Sequence, residues 1–155
     1  MQPIQKFDVT ELDLFQAIAD ETSDAIIFAD RDGAIRVWNR GAEVIFGYSA
    51  AEVLGKSLDV IIPERLRGAH WEGFRRAVET GQTKQGGRIL TTRSVHKNGS
   101  KLYVELSFGL VRDRDGTVAG AFAIGRDGTA RYVSDRALRV RVSELEKELV
   151  LSKQI

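Results

Sequence analysis

The chain has 155 residues, 43% of them hydrophobic and 29% charged, which fits one globular domain with a short extension. Its net charge of +1 gives no field that would steer it to nucleic acid or a membrane surface. It has no cysteine, which excludes disulfides, thiolate metal sites and cysteine nucleophiles, and suits a cytoplasmic location.

Residues 1–9 read as a loose arm and carry no signal-peptide pattern. No apolar run approaches the roughly 18 residues a membrane span needs. Thr10 is placed to cap a short helix whose apolar positions are Leu12, Leu14, Phe15, Ile18 and Ala19. This arm and flanking helix occupy residues 1–22. Next come two β-like runs, DAIIFAD (24–30) and AIRVWN (34–39), joined through Asp32-Gly33 as a hairpin. Residues 39–55 read as two short helical segments. Asn39 and Ser49 are the caps, Glu52 completes a capping-box spacing, and Gly47 and Gly55 stand at the C-cap positions.

After KSLDVIIP (56–63), a longer helix is predicted from Pro63 to about Thr80, ended by Gly81. Three strands follow: GRILTTRSVH (87–96), KLYVELSFGLVRD (101–113) and TVAGAFAIGRD (117–127). Lys97-Asn98-Gly99 and Arg114-Asp115-Gly116 supply the turns. From Thr129 to Ile155 there is no proline or glycine, and Leu138, Val142, Leu145 and Leu149 recur at heptad spacing among charged residues. At 1.5 Å per residue such a helix extends roughly 35–40 Å, further than a small domain covers with its own surface. A dimeric coiled coil or a lever to an output domain is expected over a helix folded back on its own sheet. The chain stops at SKQI with no helix stop signal, which suggests truncation. The expected architecture is α+β: about five antiparallel strands with helices over one face, in residues 23–128, followed by the 129–155 helix.

This order resembles the PAS sensor family over roughly residues 14–130. The resemblance rests on the Asp-Gly hairpin, Trp38-Asn39 at the start of the first short helix, FGYSAAEVLGK, the Lys-Asn-Gly hairpin and the closing RDGTARY. Gly128 stands where the family ending usually has isoleucine. The resemblance implies a signal-input module with a small interior pocket, commonly dimeric, that works through its flanking helices. It names no ligand.

No enzyme motif is present: there is no P-loop, Gly-x-Ser-x-Gly, His-Glu-x-x-His or dinucleotide fingerprint. Two histidines without cysteine make a tetrahedral zinc site improbable. Flavin–cysteine photochemistry and cysteine-attached pigments are excluded as well. His70 is the remaining lead. On a helix it shares a face with Leu66, Phe74, Ala77 and Val78, so it points into the core or a cavity there. A neutral imidazole there is able to ligate haem iron.

The frame Pro63, Arg67, His70 resembles the Pro-x-x-x-Arg-x-x-His context of haem-binding PAS oxygen sensors. That resemblance implies His70 as the proximal ligand of a haem b. Arg88 and Leu90 occupy the two positions at which those sensors place distal residues, and neither matches the family pattern. Arg88 is suited to donate to a bound diatomic ligand, to pair with a propionate or to face solvent.

His96, beside the Asn-Gly turn, is expected to be exposed. Trp71 sits at the edge of the apolar face, where packing or an interface is expected. Leu106, Phe108 and Leu110 alternate on one strand and face the same side, as core or pocket wall. Two functional readings remain. One is a haem-based gas or redox sensor centred on His70. The other is a haem-free dimerisation or interaction module with a filled or metabolite-binding pocket. A homodimer, and an output domain or partner reached through the C-terminal helix, are expected with either.

Overall fold

A computed structural model describes residues 10–84 and 86–153; the arm expected over residues 1–9 lies outside them. In chain order the elements are α1 (Glu11–Glu21), β1 (Ala25–Asp30), β2 (Ile35–Trp38), α2 (Arg40–Phe46), α3 (Ala50–Val53) and a 3₁₀ turn (Leu58–Val60). They continue with α4 (Glu64–Thr80), β3 (Leu90–Val95), β4 (Lys101–Arg112), β5 (Val118–Asp127) and α5 (Thr129–Ser152). The strands form one antiparallel sheet in the order β2-β1-β5-β4-β3.

Local chemistry accounts for the boundaries. Asp30 closes the β1–β2 turn by accepting from the backbone N–H groups of Asp32 and Ala34, and Gly33 supplies the positive φ of 81°. Thr10 and Asn39 cap α1 and α2 as expected, and Ser49 with Glu52 forms a complete capping box. Gly47 ends α2 in the left-handed region. At α3 the expectation needs correcting. The helix stops at Val53 with Leu54 as its cap, and the Gly55 N–H instead donates to the Ile35 carbonyl at 2.8 Å. The third strand also starts later than expected, because pairing with β4 begins only at Leu90.

The core lies between the inner sheet face and α2–α3. Phe46, Ile35, Val53 and Val104 are its largest fully buried side chains. Asn39 is 3% exposed and joins four backbone groups. Its Oδ1 accepts from Ile26 (2.7 Å) and Ala42 (3.0 Å), and its Nδ2 donates to Ala19 (2.7 Å) and Asp24 (3.0 Å). All of its amide capacity is therefore used in place of water. His96 is half-buried rather than exposed: its ring packs on Gly47, where any Cβ would come within 2.4 Å of it.

The two flanking helices behave differently from the domain. α1 leaves Leu12, Phe15 and Ile18 in solvent. α5 is clamped to β4 only at its first turn. There Thr129 Oγ1 accepts from the Tyr103 N–H at 3.0 Å, and the Gly128 N–H donates to the Tyr103 carbonyl at 2.7 Å. The Tyr103 and Tyr132 rings stack at 3.6 Å. Every described residue after Tyr132 is exposed.

Candidate functional site

Helix α4 is held over the inner sheet face by contacts at three points. Arg67 donates to the Ile62 and Asp59 carbonyls, both at 3.1 Å, which ties the first turn to the 3₁₀ segment. Trp71 donates its indole N–H to Asp59 Oδ1 at 2.8 Å. The same ring lies against Gly33 of the β1–β2 turn, where an added Cβ would sit 2.3 Å from it. Trp71 is therefore a packing residue, and the glycine is needed for the close approach as well as for its φ. At the far end Arg112 of β4 donates to the Gly81 carbonyl at 2.6 Å, beside the left-handed cap of α4.

Between these anchors the apolar face of α4 does not close onto the sheet. Leu66, His70, Phe74, Ala77 and Val78 are all half-buried, and no residue of α4 is fully buried. The reason lies opposite. On β1 and β5 the inner face carries the pairs Ala29–Ala121 and Ile27–Ala123, whose three alanine methyls leave room. A cavity of about 240 Å³ results, lined mostly by apolar groups including Leu66, His70, Phe74, Leu106 and Phe108, with Thr92 and Ser94 on β3. A second, more polar cavity of about 500 Å³ shares His70, Phe74, Thr92, Phe108 and Ala121 with the first. It runs outward past Leu90 and Leu110 to Arg76, Gln82 and Lys84. Small-molecule sites fall at roughly 300–1,000 Å³, so the inner chamber lies below that range and the outer one within it.

His70 stands at the junction of the two chambers. Its ring meets Trp71 edge-on at 4.8 Å and lies 6.2 Å from Phe74. Its Nδ1 is buried and has no hydrogen-bond partner. Burial pushes its pKa below the ordinary 6.5, and the nearby Asp59 charge only partly opposes this. The imidazole is therefore neutral at pH 7 and retains a lone pair for a Lewis acid or a proton donor.

The expected site residues divide into two groups. His70, Phe74 and Leu66 line the inner chamber and Leu90 the outer one. Arg88 is an exposed residue of the segment before β3 and lines neither chamber. Sequence reasoning missed Asp59, Thr92, Ser94 and the facing alanines. The alternation of Ala119, Ala121 and Ala123 was the available signal, since small residues at period two leave one sheet face thin. Among the described residues no group of three or more His, Cys, Asp or Glu side chains stands ready for a metal ion. No described helix is long and apolar enough to cross a membrane.

A five-stranded antiparallel sheet with short helices and α4 enclosing an interior cavity defines a sensory-type input domain. The chain belongs to the PAS family: residues 13–128 match the PAS fold. It is 34% identical over 124 residues to an uncharacterised protein of Azorhizobium caulinodans, covering 79% of this chain and 17% of that protein. It is 28% identical over 140 residues to the oxygen sensor protein DosP of Escherichia coli, covering 88% of this chain and 17% of DosP. It is also 28% identical over 137 residues to the sensor protein FixL of Bradyrhizobium diazoefficiens, covering 87% and 26%. The chain thus spans about a quarter or less of the length of these relatives. Among solved structures, a PAS domain from Colwellia psychrerythraea matches with a TM-score of 0.68 at 26% identity, over 78% of this chain and 99% of that one. An RNA-binding light-oxygen-voltage receptor matches in fold with a TM-score of 0.68 at 23% identity, over 96% of this chain and 41% of the receptor.

Proposed function

We propose that this PAS input domain binds haem, with His70 as the protein ligand to iron, and reports the state of that group through β4 to α5. The observation that carries the reading is the neutral, unpartnered imidazole facing a largely apolar chamber that its own side chains leave unfilled. The donor set fits. One nitrogen is enough for an iron already held by a macrocycle, the apolar walls suit the ring faces, and Arg76 and Lys84 along the outer chamber suit its carboxylates. The similarity to an oxygen sensor and to another sensor protein points the same way. Haem supplies an iron centre able to take a diatomic ligand or change oxidation state.

The chain's own residues supply the coupling. Leu106 and Phe108 of β4 face the chamber, while Tyr103 and Glu105 of the same strand hold the start of α5. Glu105 does so through Arg131 at 3.5 Å. A ligand that favours one position of β4 over another therefore biases the base of α5, by as much free energy as it distinguishes the two.

Haemin titrated into the purified protein tests this. The expected result is a Soret band with a one-to-one end point and quenching of tryptophan fluorescence, since Trp71 touches His70. Protein that stays colourless, with unchanged emission, contradicts the proposal and leaves the haem-free interaction module.

A further inference from the structure

The inner chamber is large enough to hold a guest of its own when no haem is bound. At about 240 Å³ it exceeds the roughly 150 Å³ at which an apolar cavity stays dry and takes up benzene. Phe74 of α4 and Phe108 of β4 line it beside the imidazole of His70. Aromatic walls favour a flat guest, which stacks on them or meets them edge-on.

The polar groups of the chamber are few and unsatisfied. Thr92 and Ser94 of β3 pair with Val104 and Leu102, which are core residues, so both hydroxyls lie on the inner face. Ser94 is only 6% exposed. Neither hydroxyl has a hydrogen-bond partner among the described residues, and His70 Nδ1 has none either. Folded interiors leave few such groups. Gathered round one apolar space, they point to a ligand that supplies the missing bonds.

The donor and acceptor pattern narrows the ligand. Each hydroxyl both donates and accepts, and a neutral imidazole offers one of each. A ligand hydroxyl does both as well, so it can donate to one of these groups and accept from another. Arg93 enters the lining between Thr92 and Ser94, but it pairs with Tyr103 and its side chain starts on the opposite face of the strand. An ionised ligand therefore meets no counter-ion on the inner face and loses its hydration there.

We propose that the haem-free inner chamber binds a neutral single-ring molecule bearing a hydroxyl group, held by His70, Thr92 and Ser94, and that this molecule and haem exclude one another. The exclusion rests on the haem reading, because both ligands then need His70; the binding itself does not.

Isothermal titration of the full chain, free of haem, with phenol, toluene and benzoate is the test. Phenol is expected to bind one-to-one. Toluene has the same ring without the hydroxyl and is expected to bind about tenfold more weakly. Benzoate is expected to bind more weakly still, since its charge must be buried. His70→Leu, shown to be folded by circular dichroism, is expected to remove the advantage of phenol over toluene. Ser94→Ala is expected to reduce it severalfold. Phenol is also expected to raise the haemin concentration needed for half-saturation. No binding of phenol, equal binding of phenol and toluene, tighter binding of benzoate, or an advantage of phenol that survives His70→Leu each overturns the proposal. Haemin uptake that saturating phenol leaves unchanged overturns the exclusion. Phenol binding without haemin uptake counts against the haem reading alone, and haemin uptake without phenol binding against this proposal alone.

Discussion

The two ends of the domain are built from similar residues but packed to different degrees. Around α2 and α3 the side chains fill the space: Phe46, Ile35 and Val53 are at most 1% exposed, and Trp38 lies 5.3 Å from Phe46. Under α4, residues of the same kind are only half-buried, because Ala29, Ala121 and Ala123 face them across the sheet. Protein interiors are normally close-packed. An apolar helix face that is anchored at both ends yet held off the sheet is therefore a retained space. The filled end specifies the fold and the open end is available to a ligand.

Substitutions at matched positions sharpen this contrast. Phe46→Ala should cost about 3–5 kcal/mol in urea unfolding, as a filled core site does. Phe74→Ala, already bordered by empty space, should cost less than about half of that. Equal losses would remove the distinction. Asn39→Ala should cost about 3 kcal/mol, since it strands the buried Ile26 and Ala42 N–H groups as well as losing a helix cap. Calorimetry would show the change.

A smaller effect separates Ala42→Leu from Ala121→Leu. The first overpacks a fully buried site and should cost about 1–3 kcal/mol, whereas the second grows into the chamber and should cost under about 1 kcal/mol. Ala121→Leu should nevertheless reduce ligand uptake, because it takes up the space the ligand needs. The smallest effect is in pH. Folding lowers the pKa of His70 below 6.5, so between the two values the unfolded chain holds more protons. The stabilisation from a neutral His70 is complete above about pH 6.5 and is lost as pH falls through that window. His70→Leu should flatten the slope of stability against pH there.

The features legible in the sequence were those set by neighbours along the chain. Thr10, Asn39 and the Ser49–Glu52 box were readable because a cap needs only the next turn. The inward face of His70 was readable because helical periodicity fixes it. The cavity was harder, since β1, β4, β5 and α4 jointly create it and only the alternating alanines announce it. For Arg88 the sequence left three roles open, a donor to a bound diatomic ligand, a partner for a propionate or a solvent-facing residue, because where the strand begins is not set by its neighbours along the chain. Pairing starts at Leu90, and Arg88 remains in the exposed segment before the strand. Trp71 could not be matched to Gly33 without the fold, because 38 positions separate them in the chain.

The ligand assignment can be decided cleanly because the chain has only two histidines and no cysteine. Absorption spectra of haemin-loaded wild type, His70→Ala and His96→Ala, each first shown to be folded by circular dichroism, test it most directly. The account predicts a histidine-ligated Soret spectrum in the wild type and in His96→Ala, and its loss in His70→Ala. An unchanged spectrum in His70→Ala, or loss of the spectrum only in His96→Ala, would contradict it.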